Sequence, residues 1–357
     1  MLFGLNESTT IVAVDPMYVP KHLSESFEGI AALGNMQAEK LYEEVINIQG
    51  AYAAKLQRGL SSGRLQEACE EVLQEGVVGN FFAKVKEMFK KLWAAIRALF
   101  DKFMAWIDSK FKSDKDFLAK YKEILNKKAS EVSNMSYKGH EWGDFEEKEM
   151  ASIIEASKKI EEKTEETKKI ILGAWEHPNQ QQSKQPSAQE IRDVEYKAKY
   201  DSAKKEGTDR EALIDATIKE ISKSVVNKEF TEPSEVVDEY REMLYGGEAV
   251  ELTGPDVKAL MKVVENYSNH KAAATKIQNA VDKSYNNVIR TYEKLDRDLN
   301  RNSTTDVNMA ASTTVACAKA AASLTNQIAS LYLTALKDRR DEARSILAKV
   351  VTYKKEK

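Results

Sequence analysis

The residues of this chain that could carry out chemistry are its four histidines, its two cysteines and its many carboxylates. Zinc sites and histidine-based catalytic centres need such residues at short, characteristic spacings. No histidine lies three or four residues from another, and the four are His22, His140, His177 and His270. Cys69 and Cys317 are far apart and belong to no metal-binding pattern. We therefore expect no catalytic residue, no metal site and no cofactor, and predict that the protein is not an enzyme.

The charged side chains follow the pattern of solvated helices. In the segment 151–176, glutamates and lysines recur at the four-residue spacing that lets them pair along one helix face. A basic cluster near the C-terminus has no aromatic residues between its members to stack on bases; it comprises Lys337, Arg339, Arg340 and Arg344. We interpret the cluster as positive charge at the negative end of a helix. A formal net charge of −3 gives no general attraction to nucleic acid, so we do not expect a nucleic-acid partner. Because no catalytic motif is found, we also expect no small-molecule substrate.

The most informative segment is residues 80–111, which predicts a long amphipathic helix with lysines on its polar face. Its apolar residues recur in steps of three and four and so share one helix face. Two interpretations stay open: the apolar stripe is buried in a core or partner interface, or it lies on a membrane surface. We favour the first, because the chain has no other strongly hydrophobic helix for a core. We expect Trp93, Phe100 and Trp106 to be buried against other helices or a neighbouring subunit.

The composition predicts the fold class. Lysine, glutamate, alanine and leucine dominate, and the 357 residues include only 15 glycines and 6 prolines, which is typical of long helices. We predict an all-α fold, an elongated multi-helix bundle. Its expected parts are an extended N-terminal arm (1–20), a helical domain (21–176), a linker (177–186), a helical segment (187–256) and a C-terminal antiparallel helical hairpin (257–357).

Local signals predict boundaries inside these parts. Ser113 and Asp114 have the side chains of a helix N-cap, so we expect the amphipathic helix to end just before them. Residues 134–148 contain glycine and aromatic residues, and we expect a loop or a short irregular unit there. Gly246 and Gly247 predict a helix end, because glycine readily adopts the left-handed conformation that follows many helix C-termini.

The C-terminal part predicts a hairpin of two long helices, 257–299 and 307–351, joined by a short polar turn. Pairing of their apolar stripes is expected to leave an alanine-rich surface, 310–322, free for a further subunit. We therefore predict self-association, with this hairpin at a subunit contact. The residues predicted for this contact are Tyr285, Tyr292 and Ala318.

Residues 103–125, FMAWIDSKFKSDKDFLAKYKEIL, resemble virion structural proteins of large tailed bacteriophages of the myophage type. In those proteins a helix rich in lysine, tryptophan and phenylalanine is followed by a segment like 111–115, then by counterparts of Phe117 and Lys120-Tyr121. The resemblance covers about 50 residues, 76–125. It implies a structural component of the head, neck or tail that is made in the host cytoplasm and resides in the virion. Its implied partners are other virion proteins and itself.

The resemblance also implies possible processing sites. The head-maturation protease of large myophages favours an aliphatic residue, any residue and then glutamate, with a small residue after the cut. Glu67 and Glu75 both end such tripeptides, before Ala68 and Gly76. Ordinary helix sequence explains the same tripeptides, because the chain is rich in leucine and glutamate, and this explanation stays open.

A second function is compatible with the amphipathic segment 80–111. A membrane-binding or pore-forming α-helical protein could surround one hydrophobic helix with charged hairpins and release it onto a bilayer. No run of about 18 uncharged apolar residues occurs in the chain, so we expect no membrane-spanning helix. A membrane is an expected partner only under this alternative.

Overall fold

The computed structural model of the protein describes residues 26–64, 77–142, 148–173, 210–301 and 310–354. Several predicted features lie outside these residues. They are the N-terminal arm 1–20, the linker 177–186, the helix expected over 187–207, and the possible processing sites at Glu67 and Glu75.

Helices make up most of the described chain, which confirms the predicted all-α class. They are α1 (Phe27–Ser61), α2 (Val77–Lys128), α3 (Lys148–Gly173), α4 (210–226), α5 (Pro233–Tyr245), α6 (Val257–Glu265), α7 (Tyr267–Arg301) and α8 (Ala310–Thr352). Two four-residue strands, β1 (Ser136–Gly139) and β2 (Val250–Thr253), pair in antiparallel fashion.

The helix α2 is 52 residues long and continues through the predicted boundary at Ser113 and Asp114. The prediction of two helices there was wrong. Asp114 does not cap a helix, because its carboxylate accepts hydrogen bonds from Arg340 of α8 and Tyr267 of α7 instead. Since no glycine or proline lies between residues 80 and 128, nothing in the local sequence interrupts the helix.

Four long helices form a bundle in the cyclic order α2, α8, α3, α7, and α1 covers the groove between α2 and α8. The helices α7 and α8 are antiparallel, as predicted, since Tyr267 reaches Arg340 and Tyr285 reaches Asn326. They are not an adjacent packed pair, however, because they face each other diagonally across the bundle. Their stripes therefore meet α2 and α3 as well as each other.

The apolar stripe of α2 lies in the core of this bundle. Phe100 is 1% exposed, and the ring of Phe89 stacks on that of Tyr292 with centroids 5.5 Å apart. At the centre, the Tyr285 hydroxyl donates to Oδ1 of Asn326 at 3.0 Å, and Nδ2 of Asn326 donates to the Leu92 carbonyl at 3.1 Å. A satisfied polar group in an apolar core fixes the register of the helices around it.

A smaller apolar cluster lies beyond the bundle, between the end of α2, helix α6 and the end of α8. Its buried residues include Leu118, Leu125, Val264 and Leu347. The strand pair lies in the same region, with Gly139 opposite Val250. The loop predicted over 134–148 therefore contains a strand.

The helix predicted over 257–299 is divided at Asn266, where α6 ends and α7 begins. The helix end predicted at Gly246 is confirmed, since this residue has a φ of 63° and its N–H donates to the Glu242 carbonyl.

Most of the alanine-rich part of α8 between residues 314 and 322 is buried inside the chain. Ala318, Ala321 and Ala322 are each 0% exposed. The expectation of a free alanine surface for another subunit was wrong, because α1, α2 and α3 pack around α8 and close small-residue contacts are made within the bundle. Ala318 is thus a core residue.

Gly246→Ala is expected to lower the free energy of unfolding by about 2–3 kcal/mol. The left-handed φ costs any L residue about 1–2 kcal/mol, and a Cβ here would also meet the Glu141 carbonyl oxygen at 2.0 Å. Gly63→Ala is the matched control, because Gly63 has a φ of 70° with no atom within 4 Å of the added Cβ. Urea denaturation that shows equal losses for both variants would contradict the close approach of Glu141 to Gly246.

Candidate interaction surface

The second part of α2, residues 108–128, is here called the distal segment. It extends past the four-helix core and exposes most of its circumference. Only Asp114, Phe117, Leu118 and Leu125 are buried within it. These positions form one narrow stripe, which attaches the segment to the rest of the chain.

Asp114 is the polar anchor of the distal segment. It is 1% exposed and accepts hydrogen bonds from Arg340, with Nε at 2.6 Å, and from the Tyr267 hydroxyl. Arg344 lies 3.4 Å from its other oxygen. Burial lowers the pKa of the Arg344 guanidinium, although the Asp114 carboxylate opposes this shift. These charge-assisted contacts join α2, α7 and α8 at one point.

Aromatic rings complete the anchor. The guanidinium carbon of Arg344 lies 3.2 Å from the centroid of the Phe117 ring, and that of Arg340 lies 5.7 Å from the Trp106 ring. Trp106 also stacks on Phe103. Such cation–π contacts add stabilisation where the cation has lost water. They hold the side chains of the anchor in a defined arrangement.

Lysines dominate the exposed side of the distal segment. Six are exposed, Lys110, Lys112, Lys115, Lys120, Lys122 and Lys127, against the exposed acidic residues Asp108, Asp116 and Glu123. Within the described chain, no carboxylate forms an ion pair with any of these six lysines. Phe111 is 48% exposed and Ile124 is 41% exposed on the same segment. The surface therefore offers positive charge together with apolar area.

A groove of about 250 Å³ runs between the distal segment and the junction of α6 and α7. Phe111, Leu118 and Val264 contribute its apolar walls. Its charged residues are of both signs: Lys115, Lys122 and Glu265. The Phe111 ring meets the Tyr267 ring edge-on at 5.5 Å between centroids. An apolar side chain fits the walls of this groove.

A second polar cluster holds the loop that follows β1 against helix α8. The carboxylate of Glu342 accepts from the His140 backbone N–H at 3.0 Å and from Nε1 of Trp142 at 3.0 Å. Nδ1 of His140 lies 2.7 Å from its other oxygen. Burial and the carboxylate of Asp338, which accepts from the Tyr245 hydroxyl, raise the pKa of Tyr245.

A histidine oriented by a carboxylate can serve as a general base when a substrate reaches its second ring nitrogen. Here the His140 ring packs against Trp142 and Tyr245, at 5.1 and 5.2 Å between centroids. These contacts hold the loop, α5 and α8 together. Among the described residues, no group of three or more His, Cys, Asp or Glu side chains is placed to hold a metal ion.

Glu342→Ala is expected to lower the free energy of unfolding by about 2–3 kcal/mol, because it removes the acceptor of several donors that are partly buried. Thermal or urea unfolding followed by circular dichroism measures the loss. Glu123→Ala, an exposed change on α2, is the control and should alter stability by about 0.5 kcal/mol or less. Equal effects of the two variants would show that Glu342 does not hold the loop.

The residues that the sequence predicts for an interaction surface differ in their burial in the structure. Phe100, Tyr285 and Tyr292 are buried in the bundle core, as is Ala318. Trp93 and Trp106 pack against this core but are only half-buried, so their predicted burial is partial. Nε1 of Trp93 donates to Oδ1 of Asp282 at 2.5 Å. These six residues are not brought together at one surface.

The sequence analysis did not predict the distal segment as an interaction surface. The available signal was the density of lysines after residue 110, next to an aromatic residue, Phe111, at the end of the apolar stripe. The Asp114 anchor had no local signal, because its partners lie more than 150 residues away. The basic cluster near the C-terminus likewise has a different role from the one predicted, since Arg340 is buried against Asp114.

The membrane alternative requires the apolar stripe of α2 to leave the bundle, because Phe89, Leu92 and Phe100 are buried there. None of the described helices has an apolar stretch of the length and hydropathy that crossing a bilayer needs. The chain matches no protein-family model, and no curated protein or solved structure shows significant similarity to it.

Proposed function

We propose that this protein is a structural component of a bacteriophage virion, in its head, neck or tail. It acts through helix-mediated contacts with other virion proteins and with itself. The observation that carries the proposal is the distal segment of α2, which combines exposed lysines with the exposed Phe111 and Ile124. Most of this surface, residues 108–125, falls within the stretch that resembles virion structural proteins. Exposed apolar area surrounded by charge is typical of protein-binding surfaces.

The attachment of the distal segment supports the same proposal. Asp114 ties it to two other helices, and Leu118 and Leu125 pack into the smaller apolar cluster. A surface that is already ordered loses little conformational entropy on binding, so more of its contact energy remains as affinity. A structural protein gains from such a preorganised surface, because its contacts must persist for the lifetime of a particle.

Mass spectrometry of purified particles tests this function. We expect peptides of the chain in density-gradient fractions that contain intact particles, at a copy number that matches one symmetric element of the particle. Extensive washing with salt should leave the chain in place if it is a built-in component. Recovery of the chain only from the soluble fraction of infected cells would overturn the proposal.

A matched pair of variants tests whether the distal segment makes the contact. Lys112→Glu/Lys115→Glu reverses charge on the distal segment, and Lys90→Glu/Lys91→Glu makes the same change on exposed residues earlier in α2. We expect the first variant to be depleted from particles relative to the second when each competes with the natural chain. Equal incorporation of both would place the contact elsewhere on the molecule.

A further inference from the structure

A segment of strongly acidic character lies on the opposite side of α8 from the distal segment. Residues 232–251, here called the acidic segment, comprise α5 and the start of β2. Its carboxylates, set against the single cation Arg241, are Glu232, Glu235, Asp238, Glu239, Glu242, Glu248 and Glu251. All but Glu239 are exposed. The segment therefore presents a field of negative charge.

Only part of this negative charge is compensated within the chain. Arg241 pairs with Asp238 at 2.8 Å, and Lys228 pairs with Glu239 at 2.6 Å. Within the part of the chain that the structure describes, no cation pairs with Glu242 or Glu248.

The acidic segment also carries an exposed apolar side chain. Val250 is 45% exposed and lies between the exposed residues Glu248 and Glu251. Phe111 of the distal segment is 48% exposed and lies between the exposed residues Lys110 and Lys112. The two surfaces thus share one composition, an apolar side chain flanked by charge, with opposite signs. Surfaces that match in this way attract each other and exclude partners of the wrong charge.

The contacts of the two surfaces place them on different sides of α8 within one chain. Phe111 contacts Tyr267, whose hydroxyl lies 3.0 Å from Nε of Arg340. Val250 pairs with Gly139. The next residue, His140, donates its backbone N–H to the Glu342 carboxylate. Positions 340 and 342 of a helix point about 200° apart, because each residue turns the helix by about 100°. The surfaces therefore lie on opposite sides of α8.

We propose that these surfaces bind each other between copies of the chain, with the distal segment of one copy seated on the acidic segment of the next. The inference rests on the proposed function, because it names the self-contact of that structural protein. The contact joins two different surfaces, so it is heterologous: it generates a ring when the rotation between copies closes and a linear array when it does not. Electrostatic attraction brings copies together, and burial of Phe111 and Val250 retains them.

Analytical ultracentrifugation of the full chain tests the contact. We expect concentration-dependent association in about 50 mM salt and weaker association in about 500 mM salt, because salt screens exposed charges. Lys112→Glu/Lys115→Glu should weaken association at least about tenfold, and Glu242→Lys/Glu248→Lys should do the same. The chain carrying all four substitutions should associate again, because it restores opposite charges across the contact. Circular dichroism confirms that each variant is folded.

A control separates this contact from the effect of net charge. Lys90→Glu/Lys91→Glu changes the net charge as Lys112→Glu/Lys115→Glu does, but on exposed residues outside the distal segment. We expect this control to associate like the unmodified chain. If it loses association equally, or if the fourfold variant fails to regain it, the two surfaces do not bind each other.

Two further results would overturn the inference and leave standing the proposed role as a virion component that contacts other virion proteins. The chain could occur in particles yet remain monomeric at high concentration in low salt. Alternatively, the lysines of the distal segment could bind duplex DNA or anionic phosphatidylserine vesicles without any self-association, which would assign that surface to a different class of partner. Absence of the chain from particles, with self-association intact, would instead overturn the proposed function alone.

Discussion

Asp114→Ala is expected to lower the free energy of unfolding by about 3–5 kcal/mol, the loss typical of breaking a buried ion pair from one side. The side chains of Asp114 and Arg340 are 1% and 7% exposed. Without the carboxylate, the Arg340 guanidinium keeps Asp341 as a partner but loses its buried one. The Tyr267 hydroxyl loses its acceptor as well. Urea denaturation measures the loss.

A control and a double-mutant cycle identify the cause. Asp116→Ala removes an exposed carboxylate two residues away in the same helix and should change stability by about 0.5 kcal/mol or less. Asp114→Ala combined with Arg340→Met should be more stable than the sum of the single losses by at least about 1 kcal/mol, because no buried charge is then left alone. Additive losses, or a loss below about 1 kcal/mol for Asp114→Ala, would mean that these side chains are not coupled.

The Asp114 contact also connects stability to the candidate surface. If Asp114→Ala loosens the distal segment, the lysines and Phe111 lose their fixed positions while their charges are unchanged. Association should then weaken through disorder, and the salt dependence of the remaining association should persist. Charge reversal at Lys112 and Lys115 has the opposite signature, because it removes the salt dependence and leaves stability nearly unchanged.

The sequence predicted those features of the fold that depend on local periodicity. The apolar stripe of α2 was visible in its three- and four-residue steps, and residues such as Phe89 and Phe100 are buried in the bundle as that pattern indicated. The helix end at Gly246 was visible because its chemistry is local to a few residues. The all-α class followed from composition and from the scarcity of glycine and proline.

Features that depend on distant partners were not predictable in this way. Asp114 has the type of a capping residue, and only Arg340, 226 residues away, shows that it is a buried acceptor within a continuous helix. The strands β1 and β2 are four residues each and pair across more than 100 residues, so neither has a periodic signal of its own. The diagonal placement of α7 and α8 likewise depends on α2 and α3 lying between them.

The distal segment and the acidic segment were likewise predictable only in part. The density of lysines in the distal segment and of carboxylates in the acidic segment can be read from the sequence. That the two lie on opposite sides of α8 cannot, because it depends on which side of the helix each of Arg340 and Glu342 faces. The amphipathic pattern predicts which residues are buried in the stripe. A binding surface consists instead of residues that the fold leaves exposed, and the pattern alone does not identify them.

Ala318→Glu is expected to have the largest effect of the changes considered, a loss of at least about 4 kcal/mol in the free energy of unfolding, and to prevent folding in a chain of ordinary stability. Ala318 is 0% exposed, and Ala321 and Ala322 next to it on α8 are equally buried. A glutamate there would place a carboxylate among apolar groups and would add volume to a packed contact between helices. Circular dichroism and thermal unfolding measure the result.

The same substitution separates a core position from a surface position. If the alanine-rich part of α8 were a subunit contact, Ala318→Glu would give a folded chain with normal cooperativity that fails to assemble. Because the residue is buried within the chain, we expect loss of cooperative unfolding even where the protein is dilute and monomeric. Ala98→Glu, which places the same side chain on an exposed alanine of α2, should unfold like the unmodified chain. A well-folded, assembly-deficient Ala318→Glu variant would contradict the packing of α8 in the bundle.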